Sequence, residues 1–371
     1  MDKLMELSDT EIERYSRQIV MDEIGFEGQQ KLKNARITVI GIGGLGSPIT
    51  QQLVAMGIGT IRIVDRDVVE VSNLHRQVLY GDKDVGLSKA EAAHDRLKII
   101  NPQVKVEPLT LSINDDTVDE VISDSDVVID GLDSVSARYS INRACVRLNI
   151  PYVFGSAIVT TGSSTSIIPG KTPCLECFQP SLKDEEMPKC GTEGVHPSIL
   201  TTISSVQVSE AVRIIIGKEP NLANKLFLAD ISDLNYDKVK IIKQPKCNVC
   251  GINANLTAKK SKRKLIEDIC GREGKSVHII SPKENLNIDL KRLNEIIEEK
   301  ELRIIREGEL GTTIQYNEQI TISIVSSGVS IIVGALEEKR ALEVFNEIII
   351  NELNINPEKI DSEFEKLVQF N

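Results

Sequence analysis

The stretch that decides the fold runs Arg36-Ile37-Thr38-Val39-Ile40, then Gly41-Ile42-Gly43-Gly44-Leu45-Gly46, a helical run to Met56, and Thr60-Ile61-Arg62-Ile63-Val64-Asp65. It reads as strand, glycine-rich turn, helix, strand, acid. A β-branched run bounded by glycines predicts a buried parallel strand. Gly41, Gly43 and Gly46 permit a tight turn and close backbone approach, and the N-terminus of the next helix offers N–H groups and partial positive charge to phosphate. Asp65 follows the last glycine by about twenty residues, the spacing of an acid that hydrogen-bonds ribose. The complete unit predicts a nucleotide site and leaves the nucleotide open.

Outward from this unit, the 371 residues predict two or three domains with ample core. A hydrophobic content of 41% and a charged content of 27% are those of a water-soluble globular chain. The net charge of −11 argues against duplex nucleic acid as partner. No stretch looks like a run of about 20 apolar residues, so no membrane span is expected. The opening Met-Asp-Lys-Leu-Met-Glu lacks a signal core, which makes the cytoplasm the expected location.

Strand and helix alternate beyond Asp65. Ser8-Asp9-Thr10-Glu11 has capping-box spacing and starts a helix carrying Arg14 and Arg17, on spacing alone a solvated face. A helix is expected near Lys89–Ile100, with strands at Val104–Leu109 and Val127–Ile129. The alternation predicts a doubly wound, mostly parallel Rossmann-like sheet. Asp130 and Asp133 sit where the Val127 strand ends, the place where such sheets collect ligands, although either could serve only to cap the next helix. An apolar-patterned helix is expected from about Ser198 to Gly217.

Seven cysteines in a chain of this kind point to metal or catalysis before disulfides. Cys174/Cys177 and Cys247/Cys250 form two Cys-x-x-Cys pairs. One such pair could be a redox couple, whereas two favour a closed structural zinc site without catalytic work. Cys190, among lysines and glycines, reads as an exposed and mobile thiol, reactive or inert. Cys145 and Cys270 read as ordinary, partly buried cysteines.

After Cys250 the character changes. Residues 1–251 read as one nucleotide-binding domain, 252–275 as a linker, and 276–371 as a small α/β domain with no visible catalytic constellation. Strands are expected at Val277–Ile280, Leu302–Arg306, Thr312–Tyr316, Gln319–Val325 and Val329–Val333, with helices at Leu290–Lys300 and Lys339–Leu353.

Taken together, residues 5–251 resemble the ubiquitin-activating-enzyme-like superfamily, and within it the ThiF/HesA/MoeB group, which adenylates small ubiquitin-fold sulfur carriers. The ordered elements are Arg14-Tyr15-Ser16-Arg17-Gln18-Ile19, Gly41 to Gly46, Asp65 with Asn73-Leu74-His75-Arg76-Gln77, Lys89, Asp130 to Asp133, Cys174/Cys177, Cys190 with Gly194-Val195, Gln207 with Glu210-Ala211, and Cys247/Cys250. The resemblance implies ATP and magnesium as cofactors beside zinc, and a homodimer in which Arg14 reaches the partner copy's ATP site. It implies that Arg76 and Lys89 contact phosphates, that Asp65 holds the ribose, that Asn73 and Gly44 lie beside the nucleotide, and that Asp133 binds magnesium. Cys190 would form a persulfide-derived or thioester link to the carrier, a role that varies in the family. The implied partner is a ubiquitin-like carrier ending in Gly-Gly. Ser134 stands where relatives commonly have asparagine, and the C-terminal part does not resemble a rhodanese domain, so a separate sulfur donor is implied. The rival expectations are a nicotinamide-dependent dehydrogenase, a non-catalytic scaffold, or adenylation of a non-protein acceptor.

Overall fold

In the computed structural model, the described residues are 5–187, 193–254, 264–272 and 275–362, with Phe364 and Leu367. The first unit is built on eight strands: β1 (Arg36–Ile40), β2 (Thr60–Val64), β3 (Lys105–Leu109), β4 (Val127–Asp130), β5 (Tyr152–Ile158), β6 (Thr161–Ile167), β7 (Lys225–Asp230) and β8 (Asn235–Lys240). Their order is β3-β2-β1-β4-β5-β6-β7-β8. Pairing is parallel from β3 through β5 and antiparallel from β5 to β8. The expected large, mostly parallel sheet is therefore present, with an antiparallel extension that the sequence reading did not delimit.

Successive side chains of a strand face opposite sides, and this sorts the core into two layers. Ile37, Val39, Ile61, Ile63, Val127 and Ile129 pack on one face with the helices Gly46–Met56, Lys89–Ile100 and Pro197–Ile216. Ile40, Val64, Val128, Tyr152 and Phe154 pack on the other with the helix Val135–Leu148 and the cysteine pairs. Burial on both faces explains why these strands read as continuous apolar runs. Cys145 is fully buried in that second layer rather than partly buried.

One expectation about length needs correcting. The helix Pro197–Ile216, at 20 residues, is long and apolar enough to cross a membrane, and 56% of its most apolar window is buried within the fold. It runs along the sheet and touches β4, β5 and β6, which accounts for its apolar composition.

A second sheet has the order β11-β12-β13-β14-β10-β9. Its strands are β9 (Ile266–Arg272), β10 (Lys275–Ile280), β11 (Arg303–Glu307), β12 (Gly311–Gln315), β13 (Thr321–Val325) and β14 (Ser330–Val333). β9 falls inside the stretch 252–275 expected as a linker, where it pairs with β10. Every neighbouring pair is antiparallel, and the strands and helices of this part fall in the order expected for 276–371. The helices Leu290–Glu299 and Glu338–Phe345 cover one face, packing Leu293, Ile297 and Phe345 on Ile322, Ile324 and Ile332. The helix expected over Lys339–Leu353 begins as α and continues as a π-helical stretch, Asn346–Asn351. The other face of the sheet carries Val277, Ile279, Val325, Val329 and Ile331, which pack on Val68 of the first unit.

Candidate active site

From β1 the chain proceeds to β2 on one side and later to β4 on the other, which opens a crevice at the carboxyl ends of these strands. The glycine loop fills the floor of that crevice. Gly41 has φ +84°, and a Cβ on Gly46 would lie 1.8 Å from the Gly41 carbonyl oxygen. Two turns of backbone thus close on one another where no side chain fits. Among the described residues, the N–H groups of Gly43 and Gly44 meet no protein acceptor. They lie at the start of the Gly46–Met56 helix, the arrangement that binds anions.

Asp65, at the end of β2, accepts hydrogen bonds from Ile42 N–H (2.7 Å) and Asp67 N–H (2.8 Å). One carboxylate therefore braces both the glycine loop and its own turn. Burial pushes the Asp65 carboxyl up, and the Lys89 ammonium opposes that. Lys89 opens its helix and donates from Nζ to Asp67 at 2.9 Å. Burial alone would lower the Lys89 ammonium, but Asp67 and Asp65 outweigh it and hold its pKa up, so Lys89 stays charged. Tyr80 ties the two sides together, its hydroxyl donating to the carbonyls of Ile42 (2.8 Å) and Lys89 (3.3 Å).

Asn73 is buried, its Oδ1 accepting the Glu70 N–H at 3.2 Å. Arg76 donates to the Ser72 carbonyl at 2.7 Å and precedes Gln77, whose Nε2 lies 3.6 Å from where a Gly43 Cβ would stand. Gln77 Oε1 and Ser88 Oγ are buried without a hydrogen-bond partner among the described residues.

The two acids after β4 separate cleanly. Asp130 is fully buried and accepts from Arg138 Nε (3.0 Å), Tyr152 Oη (2.7 Å) and Leu132 N–H (2.8 Å). Burial pushes its carboxyl up; the Arg138 guanidinium and these donors pull against that. Asp133 is exposed and makes no hydrogen bond or ion pair among the described residues. An exposed, uncommitted carboxylate fits a largely hydrated magnesium ion, which takes only one or two protein carboxylates. The expectation that one acid might only cap the next helix is settled otherwise, since Asp184 accepts from Val135 and Ser136 N–H at that helix start.

Arg14 is exposed, and its guanidinium donates to the Ile100 carbonyl at 3.2 Å. Ile100 ends the helix that Lys89 begins, about 16 Å away along the axis. Within one chain, Arg14 does not join the site. Cys190 lies outside the described residues.

The four paired cysteines do come together. Their sulfur atoms all lie within 4.8 Å of one another, with Cys174 to Cys247 at 3.6 Å and Cys177 to Cys250 at 3.3 Å. A tetrahedral zinc–thiolate site separates its sulfurs by about 3.8 Å, so the donor set fits zinc. The Gln244 N–H also reaches Cys177 Sγ at 3.4 Å, a contact that suits a thiolate.

The sequence reading assigned no role to Asp67, although it pairs with Lys89 twenty-two positions on. Nor did it find Arg138 and Tyr152 around Asp130. Nothing in a single chain's spacing marks such long-range pairs.

The fold and crevice define a doubly wound nucleotide-binding unit with a cluster of four cysteines that could hold a metal. The ThiF family profile matches residues 15–249. This chain belongs to the ThiF family. It is 39% identical over 248 residues to the SAMP-activating enzyme E1 of Haloferax volcanii, a match spanning 67% of this chain and 92% of that one. Over 248 residues it is 38% identical to the sulfur carrier protein adenylyltransferase of Thermus thermophilus, spanning 65% and 91%. Among solved structures, E. coli MccB with ATP is similar at a TM-score of 0.57 and 27% identity, over 64% of this chain and 74% of that one.

Proposed function

We propose that this chain is an ATP-dependent adenylyltransferase acting on the C-terminal glycine carboxylate of a small ubiquitin-like sulfur carrier that ends in Gly-Gly. The observation that carries the reading is that the glycine loop, with the open Gly43 and Gly44 N–H groups, packs on Gly131 at the turn leading to Asp133 and is braced by Asp65, whose turn holds the charged Lys89 through Asp67. Relatives named for carrier activation share most of this unit.

A carrier carboxylate oxygen attacks the α-phosphorus of ATP. The new P–O bond forms as the bond to the β-phosphate oxygen breaks, and pyrophosphate leaves with that oxygen. Lys89, Arg76 and the glycine-loop N–H groups hold phosphate oxygens, Asp65 holds the ribose, and Asn73 lies beside it. Charge stays on phosphate oxygens throughout, so fixed donors suffice and no side-chain nucleophile is needed. Asp133 would hold magnesium, which supplies charge neutralisation at the phosphates. Arg14 completes the site from the second copy of a homodimer, which accounts for its distance from the site of its own chain. A separate donor of sulfide-level sulfur then attacks the acyl carbon, the C–S bond forming as the bond to the AMP phosphate oxygen breaks and AMP leaves, which gives the thiocarboxylate, with Cys190 acting only at that later stage. The working location is the cytoplasm.

The test is isotope exchange between ATP and pyrophosphate with candidate Gly-Gly carriers. Exchange is expected to require the carrier and to survive Cys190→Ala within about threefold, a far smaller change than the loss of about 10²–10³-fold expected when a phosphate contact is removed. Exchange that vanishes with Cys190 would move the thiol into the first step. ATP binding without exchange for any carrier would overturn the protein-acceptor reading.

Cys174, Cys177, Cys247 and Cys250 hold one structural zinc, joining the chain near residue 250 to the loop before residue 180. Metal analysis is expected to find one zinc per chain. Chelation is expected to lower the thermal midpoint, because binding energy in such sites is folding energy. An unchanged midpoint after removal of the metal would count against a structural role.

A further inference from the structure

The second sheet grips the first unit at the two segments that carry Asp65 and Lys89. On the first segment, Arg66 Nη1 and Nη2 donate to Glu267 Oε1 and Oε2 of β9, both at 2.8 Å. Val68 is buried among Val277, Ile279 and Ile331. On the second, Thr313 Oγ1 donates to the Gly86 carbonyl at 2.8 Å, and Arg306 donates to the Lys83 carbonyl at 2.7 Å. Glu91, two residues past Lys89, accepts the N–H groups of Glu309 (2.7 Å) and Leu310 (2.9 Å). Ser112, just past β3, is within hydrogen-bond distance of Ser281 at 2.8 Å. The Asp67–Lys89 pair is thus held from both sides by the C-terminal unit.

Arg66 makes the ion pair with Glu267 across this seam. It lies between Asp65 and Asp67 in sequence, and its guanidinium feels Glu267, Asp67 and Asp133. A bidentate guanidinium–carboxylate pair fixes direction as well as distance. Without Glu267, the half-buried guanidinium keeps, among the described residues, only a 3.4 Å hydrogen bond to Ser112 Oγ. The other acids that act on it, Asp67 and Asp133, are those expected to hold Lys89 and magnesium.

We propose that Glu267 is a positioning residue for the nucleotide site: by holding Arg66 it keeps that cation off Asp67 and Asp133, so that the C-terminal unit sets the affinity for Mg·ATP. The inference rests on the nucleotide-site reading above. It gives residues 276–371, together with β9, work at the ATP site that does not require contact with the carrier.

The experiment is calorimetric titration of the full-length protein with Mg·ATP. Glu267→Gln is expected to weaken binding about tenfold, the cost of a lost charged hydrogen bond. The double variant Arg66→Met/Glu267→Gln is expected to bind more tightly than Glu267→Gln alone, because the stray cation is gone. A purely structural contact would make the double variant no better. If Glu267→Gln does not fold, Glu267→Asp keeps the charge on a shorter arm and is expected to weaken binding to an intermediate degree. Asp65→Ala separates the two readings. Lost binding in Asp65→Ala, with wild-type affinity in the Glu267 variants or no rescue in the double variant, overturns the proposal alone. Unchanged binding in Asp65→Ala overturns the nucleotide-site reading itself.

Discussion

Asp133→Ala is expected to lower carrier-dependent ATP–pyrophosphate exchange by about 10²–10³-fold, the usual cost of removing one fixed group that stabilises transition-state charge. The fold should not notice. Asp133 is exposed and makes no hydrogen bond or ion pair among the described residues, so its removal strands no partner. The same substitution is therefore expected to leave the urea midpoint unchanged, since surface changes of this kind fall within about 0.5 kcal/mol. Raising magnesium in the exchange assay should recover part of the rate if the lost group is a metal ligand. Exchange within threefold of wild type would remove Asp133 from the magnesium role.

Asp130→Ala, three residues away, is expected to do the reverse and destabilise the protein by about 3–5 kcal/mol, the range for breaking a buried charge pair from one side. Asp130 is fully buried, and the Arg138 side chain is 9% exposed. Removing the carboxylate leaves that guanidinium with the Leu132 and Gly155 carbonyls but no counter-charge. The Tyr152 hydroxyl loses its acceptor in the same step. Equilibrium urea unfolding followed by circular dichroism measures the loss. A change under 1 kcal/mol would mean that the cluster relaxes or hydrates without cost, and that its charge pair contributes little. Any fall in exchange for this variant should follow the fraction folded at the assay temperature, which distinguishes it from Asp133→Ala.

The contrast between these aspartates marks the boundary of what the chain spells out locally. Both stand at the end of the Val127 strand, and both have the chemistry to cap a helix or bind a metal. Which one is buried depends on Arg138, one turn into the next helix, and on Tyr152, from the neighbouring strand. The helix cap that either could have provided comes instead from Asp184, about fifty residues on. None of these pairings has a period or a spacing.

What the sequence determined by itself is the set of features whose physics is local. A glycine loop must be glycine wherever backbone closes on backbone, as at Gly41 and Gly46. Strands buried on both faces are predominantly apolar, so β1, β2 and β4 were readable from composition and order despite Thr38, Arg62 and Asp130. Two Cys-x-x-Cys pairs state a thiolate set without reference to their separation. The tertiary structure decided the rest, because it depends on which surfaces meet. It placed Asp67 against Lys89, kept Arg14 a helix length from the site of its own chain, and extended the parallel sheet with β6, β7 and β8. It also set Glu267 of the C-terminal sheet on Arg66, two hundred and one positions earlier, a contact that no local spacing marks.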